Sequence, residues 1–284
     1  MAQEAPRQKK CLSWGETLNV TLFGSEWTSK AGGMSTFNRE LAIHLSQHPE
    51  VEVSLLVPEG HCTDRDKREA QSFGITVVDA KERIGFEPLE WLSFPPRDLK
   101  IDVVVGHGVK LGRQGQVIRD NLARSHDENC KWIQVVHTAP EDLSRFKKYP
   151  NPIEKGGTKH DAEVGLCRLA DLVVPVGPRL EEVYSSYLQR RRKVLGVFAV
   201  TPGLFDREFG DLEQSPNENA EFKVLLCGRG DDEDFELKGY DVAAKAFADH
   251  RLKRKPYQLT FVGAPEEKVD DVREKLLQHD IDTY

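Results

Sequence analysis

A few short stretches of this chain carry residue types whose spacing suits chemistry. Gly32 and Gly33 stand between the apolar run Leu18–Phe23 and the amphipathic stretch that continues through Phe37, Leu41, Ala42 and Leu45. Adjacent glycines let the backbone approach a ligand, and the N–H groups at a helix start carry positive potential, so this loop suits a phosphate or a sugar hydroxyl. Ser35 and Thr36 add hydroxyls that either donate to such a ligand or satisfy the first helical turn. Two further apolar runs each deliver a histidine: Ile101–Val105 leads to His107, flanked by Gly106 and Gly108, and Trp132–Val136 leads to His137. Ligands of open α/β sheets collect at that end of the strands. Arg229, after the apolar run Phe222–Cys227, and Lys238 are cations suited to phosphate oxygens, one as a forked donor and one as a compact charge. Glu163 adds a carboxylate in a helical segment.

Each of these has a plain structural reading beside the chemical one. The glycine pair is an ordinary tight turn; the two histidines are hydrogen-bonded ends of buried strands. Glu163 lies on a charged helix face, and Arg229 and Lys238 are solvated at a strand end and a helix start. Asp171 caps or closes the turn before its strand. The acidic runs at Asp64, Asp66 and Asp231–Asp234 lack the glycine and terminal glutamate of a calcium loop and read as solvated loops, so no metal is expected.

The elements that must position these groups alternate between strand and helix, the mark of a parallel sheet with crossover helices. Strands are expected at Leu18–Phe23, Val51–Val57, Ile75–Val78, Ile101–Gly108, Trp132–Thr138, Leu172–Val176 and Val194–Val200. Helices are expected from Gly33, over Thr63–Phe73 with Gly74 behind it, from about Gly112 to Leu122, over His160–Ala170, and from Pro178. Lys81–Lys100 and Lys147–Gly157, rich in Pro, Gly or Lys, read as irregular. A second unit repeats the pattern more briefly: strand Phe222–Arg229, helix Gly239–Asp249, strand Gln258–Gly263 and helix Glu266–Gln278.

The chain has 284 residues, enough for one large or two moderate domains. A net charge of −7 argues against a chain-wide basic face for nucleic acid, and the one dense basic cluster, Arg190–Lys193, reads as a solvated helix end. Cys11, Cys62, Cys130, Cys167 and Cys227 are odd in number and never spaced CxxC, which argues against a disulfide framework or zinc site. The polar start at Met1–Lys10 lacks a signal-peptide core, and no apolar run is long enough to span a bilayer. A cytoplasmic protein with reduced thiols is the expectation.

In order and spacing, four of these segments resemble the GT-B glycosyltransferases, and within them the retaining glycosyltransferase family 4. They are Gly32-Gly33 with the helix Phe37–Ala42; Val135-Val136-His137-Thr138; Glu163 with Leu169–Val176; and Leu226–Arg229 followed by Leu237-Lys238-Gly239. The resemblance runs from about Leu18 to Gln278. It implies an α/β, GT-B-like fold, with a complete N-terminal Rossmann-like domain and a truncated second Rossmann-like domain. The expected layout is a polar tail over 1–17, the first domain over 18–210, a linker over 211–220 and a partial nucleotide-sugar-binding domain over 221–284.

The implied activity is transfer of a hexosyl group, with retention, from a UDP-sugar or GDP-sugar to an acceptor that the sequence does not name. The implied site is a cleft between the two domains. There Gly32, Gly33, Arg229 and Lys238 hold the diphosphate, and two preorganised cations suit the electrostatics of its departure. His137 contacts the transferred sugar near its reacting carbon, with His107 in the equivalent place on the preceding strand. Glu163 lines the acceptor side. No separate cofactor or metal is implied. The sequence departs from the family in lacking its donor-site glutamate pair and in the acidic insertion Gly230–Glu236. Those departures leave an alternative open, a catalytically inactive nucleotide- or sugar-binding or signalling module of the same fold.

Overall fold

A computed structural model describes residues 17–28, 32–124, 130–147, 150–188, 196–203, 222–230, 234–249 and 257–278. It divides into two compact units, one of residues 1–139 and 159–203, the other of residues 140–158 and 204–284. The segment 140–158, expected from sequence within the N-terminal domain, thus groups with the second unit.

The first unit is built on a six-stranded parallel sheet: β1 (Leu18–Phe23), β2 (Val51–Pro58), β3 (Ile75–Ala80), β4 (Val103–His107), β5 (Lys131–Val136) and β6 (Leu172–Pro175). The spatial order is β3-β2-β1-β4-β5-β6. The chain runs outward from β1 to one edge, then returns to place β4 on the other side of β1. That reversal makes the β1/β4 boundary a topological switch point, where the loops leaving the two strands diverge and open a crevice. Successive strand residues face opposite sides of the sheet. Leu22, Leu55, Val105, Val135 and Val174 enter one apolar cluster with Ala42 and Ile43 of α1 (Gly33–Ser46) and Ala70 of α2 (Asp64–Ser72). Phe23, Leu56, Val104, Val136 and Val173 enter the other. There they meet a short α3 (Pro88–Trp91), α4 (Gly108–Arg124), α6 (Pro152–Leu169) and α7 (Pro178–Leu188). Burial on both faces explains why these strands read as continuous apolar runs.

Two helices begin earlier than the sequence indicates. Helix α4 starts at Gly108 rather than near Gly112. Its run of glycines reads as a loop, yet they are what lets the helix approach β5: a Cβ at Gly115 would lie 2.6 Å from Trp132 Nε1, and one at Gly112 would collide with the Gln134 amide. Helix α6 starts at Pro152, inside the stretch expected to be irregular. Proline suits a first helical turn, and Gly156 within it packs against Ser144 of the preceding short helix α5 (Pro140–Ser144). Of the strand expected at Val194–Val200, residues 194–195 lie outside the described residues, and in the rest Val197 and Val200 make single parallel bridges to Val173 and Val176. Helix α2 follows the expectation closely. Thr63 caps it in a capping box with Asp66, and Gly74 follows at φ 76°.

The second unit holds a parallel pair, β7 (Phe222–Cys227) and β8 (Tyr257–Val262). Helix α8 (Tyr240–Ala248) connects them, and a 3₁₀ turn (Glu266–Lys268) leads into α9 (Val269–Leu277). Its core is Phe235, Tyr240, Ala244, Val272 and Leu276. The Tyr240 hydroxyl donates to Gly228 O at 2.6 Å, which fastens α8 to the end of β7. The linker 211–220, the basic cluster 190–193, residues 1–16 of the tail and residues 231–233 of the acidic insertion lie outside the described residues.

Candidate functional site

Gly32, Gly33, His107, His137 and Glu163 all belong to the first unit and gather at the C-terminal edge of its sheet. Gly32 precedes α1 with φ 108° and ψ −165°, a conformation open essentially to glycine alone. Its carbonyl accepts the N–H groups of Ser35 and Thr36 at 3.0 and 3.2 Å, and the Thr36 hydroxyl returns to the same oxygen at 3.4 Å. The N–H groups of Gly33 and Met34 have no acceptor within the helix, as helix geometry requires of the first turn. Gly33 is exposed, and a Cβ there would meet nothing within 4 Å. Packing therefore does not demand a glycine at position 33, whereas backbone conformation demands one at position 32.

Beyond the glycine loop, a chain of hydrogen bonds crosses from β1 to β5. Asn38, buried on α1, donates through Nδ2 to Phe23 O at 2.9 Å. Its Oδ1 lies 2.7 Å from His107 Nε2. His107 Nδ1 lies 3.0 Å from His137 Nε2. Phe37 sets its ring edge-on to His137, with centroids 5.2 Å apart. Burial pushes the His107 pKa down to about 3, helped by His137, and burial alone pushes that of His137 down to about 4. Both imidazoles are therefore neutral at pH 7.

Glu163 is buried on α6, one helix removed from the histidines. Gln134 Nε2 bridges Glu163 Oε1 at 3.3 Å and Gly108 O at 2.8 Å, and the Val109 N–H at the start of α4 also bonds the carboxylate. Both contacts favour the anion, but burial outweighs them and raises the pKa to about 7. A Cβ on Gly108 would stand 3.7 Å from Glu163 Oε2 and 3.9 Å from Met34 Cε, so the first turn of α1, the end of β4 and Glu163 converge on that glycine. The charged-face reading of Glu163 is corrected by its burial. Asp171, expected to cap or close the turn before its strand, instead ties that turn to the neighbouring strand, its carboxylate accepting the N–H of Trp132 on β5 at 2.9 Å.

In the second unit Arg229 and Lys238 are neighbours across Gly228, whose added Cβ would lie 3.1 Å from Lys238 Cβ. Both are exposed, and Arg229 stands 4.0 Å from the carboxylate of Asp234, which also pairs with Lys147. Asp234, one of the acidic residues expected in a solvated loop, is thus largely buried and ion-paired.

Asn38, Gln134, Asp234 and Lys147 are not picked out by the motifs. For the first two the sequence does hold a signal: each is a lone polar residue on an otherwise apolar stripe, Asn38 four residues before buried Ala42 and Gln134 in the run Trp132–Val136. A buried polar side chain needs a partner, so such a position marks a network.

Comparison with known proteins agrees with this architecture. Similar solved structures include the catalytic domain of starch synthase IV from Arabidopsis thaliana bound to ADP and acarbose, at 11% identity and a TM-score of 0.59, covering 93% of this chain and 71% of that one. Sucrose-phosphate synthase from Thermosynechococcus elongatus is similar at 16% identity and a TM-score of 0.56, covering 93% and 69%. The N-terminal domain of Candida albicans trehalose-6-phosphate phosphatase is similar at 12% and 0.57, covering 96% and 69%. At such identities the likeness speaks for the fold, which is α/β and GT-B-like. A search of curated proteins finds no match. The family model described as "Family 4 Glycosyltransferase in conflict systems" matches residues 21–281. With the match covering nearly the whole chain, this protein belongs to the family 4 glycosyltransferases of conflict systems.

Proposed function

We propose that the chain transfers a hexosyl group from a nucleotide-diphosphate sugar, a UDP- or GDP-sugar, to an acceptor hydroxyl with retention of configuration. The observation that carries this reading is the convergence of Gly32-Gly33, the His107–His137 pair and Glu163 at the switch point of the first sheet. In this reading the helix start at Gly33 offers N–H groups to the donor, and His137 contacts the transferred sugar. Glu163, with a pKa near 7, is suited to exchange a proton on the acceptor side. Arg229 and Lys238 of the second unit take the diphosphate, where two fixed cations lower the cost of its departure. Nucleotide sugars of this kind are met in the cytoplasm, and the reading places the protein there. Among the described residues no helix is long and apolar enough to cross a membrane.

The test is calorimetry with UDP and GDP, followed by transfer assays with labelled UDP- and GDP-sugars and the anomeric configuration of the product. Binding that weakens about tenfold in Arg229→Ala or Lys238→Ala, with turnover lost in His137→Ala, supports the assignment. Nucleotide binding without turnover would leave a binding module instead. No binding of either nucleotide would remove the diphosphate assignment altogether.

A further inference from the structure

The hydrogen bonds around His137 form a polarised chain whose direction can be worked out from one end. Phe23 O, at the end of β1, is a carbonyl and can only accept. The Asn38 group 2.9 Å from it must therefore be the amide NH₂, which turns the amide oxygen toward His107. An amide oxygen cannot donate, so His107 Nε2 carries the proton on that side. His107 is fully buried and neutral, so a proton on Nε2 leaves Nδ1 without one. Nδ1 is then an acceptor, and the atom 3.0 Å away, His137 Nε2, must carry a proton to fill it. A neutral imidazole holds one N–H, so His137 Nδ1 is a bare lone pair. Among the described residues it has no hydrogen-bond partner, and the ring is only partly buried.

We propose that Asn38 and His107 are positioning residues that lock His137 in its Nε2–H tautomer and present Nδ1 as a hydrogen-bond acceptor to the ligand. Neither touches the outer face of His137; they act through the bond to its inner nitrogen. The alternative tautomer would point a lone pair from His137 Nε2 at the lone pair of His107 Nδ1 in a dry environment. It would cost the hydrogen bond and leave two buried acceptors unsatisfied. The Phe37 ring edge and the buried His107 together fix the ring plane. One chemical consequence rests on the proposed sugar-transfer role. A neutral acceptor repels a phosphate oxygen and attracts a hydroxyl, so the group met by His137 is a carbohydrate hydroxyl rather than the diphosphate.

The tautomer can be read directly, with or without activity. Two-bond proton–nitrogen correlation spectra of the full chain labelled with ¹⁵N-histidine, at pH 7.5, distinguish Nε2–H from Nδ1–H and from a rapid average. His137→Gln identifies the His137 signals. The expectation for the wild type is a single Nε2–H pattern for His137. His107→Asn keeps an amide oxygen near the position of Nδ1 and should preserve that pattern. His107→Leu offers no acceptor, and Asn38→Leu frees His107 to change tautomer, so both should shift His137 toward an average. The Asn38→Leu effect is the discriminating one, because the Asn38 amide bonds to Phe23 and His107 and reaches His137 only through the latter. A wild-type His137 that is Nδ1-protonated or averaged overturns the proposal, as does a pattern unchanged in all three variants. If the leucine variants do not fold, the wild-type and His107→Asn spectra decide. Where turnover is measurable, His107→Leu should lower kcat roughly tenfold or more with KM little changed, the scale on which losing a partner that orients a functional histidine acts. Absence of wild-type turnover counts against the transferase reading and leaves the spectra untouched.

Discussion

His107 and His137 sit 30 residues apart in sequence and share one hydrogen bond of 3.0 Å, with no carboxylate between them. Adjacent strands β4 and β5 make that contact possible: the register pairs His107 with Val135, and a step of two residues brings His137 to the same face. The pair is a neutral, desolvated dyad, and this controls how the fold responds to acid.

Both histidines have folded-state pKa values, about 3 and about 4, below the ordinary 6.5. Between these limits the unfolded chain binds more protons than the fold, so stability rises with pH. The contribution is complete above about pH 6.5 and is lost as pH falls toward the folded values. Urea unfolding of the wild type and of His107→Leu between pH 7 and pH 4.5 should show this loss as a stability difference between them that shrinks as pH falls. An identical slope in the variant would show that the dyad is not the source.

Glu163 acts in the opposite sense. Its pKa is raised from 4.5 to about 7 by burial, so the fold binds the proton more tightly than the unfolded chain does. The Glu163 contribution to stability therefore declines as pH rises from about 4.5 to about 7 and then levels off. The full difference is on the order of 3 kcal/mol, since each tenfold change in proton affinity is worth about 1.4 kcal/mol. Glu163→Gln should gain on the wild type across that window. The measurement is the difference in unfolding midpoint at pH 5 and pH 8, and a difference that does not grow with pH refutes the expectation.

The two glycines of the opening loop should separate cleanly. Gly32→Ala forces a side chain into a backbone region reserved for glycine and should cost about 1–3 kcal/mol. Gly33→Ala places its Cβ in open space and should leave the melting temperature nearly unchanged. If the loop receives the donor, Gly33→Ala will weaken UDP or GDP binding despite its normal stability. Thermal unfolding beside calorimetry tests both halves.

Gly112 and Gly115 let α4 lie against β5, and an added methyl would run into Gln134 or Trp132. Alanine at either position should destabilise by about 1–3 kcal/mol, as overpacking of a tight contact does. Gly112→Ala should also displace the Gln134 amide from Glu163 and so disturb the Glu163 titration. Gly115→Ala, which meets the indole instead, should leave that titration alone. Carbon-detected carboxyl titration distinguishes the two.

Asp234 and Lys147 are a nearly buried ion pair in the second unit, with side chains 11% and 15% exposed. Asp234→Asn removes one charge of this nearly buried pair and should cost about 2–4 kcal/mol, while the double variant Lys147→Met, Asp234→Leu should recover most of it. Hydrogen exchange over residues 222–249 reads the effect in that unit. Equal losses in the single and double variants would show that the pair is not what matters.

The repeating order of strands and helices is legible in the sequence because it is written in local pattern: apolar runs of strand length, then amphipathic stretches opened by glycine, proline or a capping threonine. The Gly32–Gly33 loop and the strand-end histidines are legible for the same reason. The starts of α4 and α6 are not. Their glycines have low helix propensity, and only close packing on Gln134, Trp132 and Ser144 offsets that cost.

What the sequence alone determined, then, is the alternation of elements and the residues placed at their ends. The tertiary structure decided which ends meet. It set β4 beside β1, so that Asn38 reaches His107, and set β5 beside β4, so that His107 reaches His137. It also buried Glu163 beneath Gly108, where desolvation rather than sequence context governs its charge. Strand order and register depend on burying both faces of the whole sheet at once, and no local run of residues contains that information.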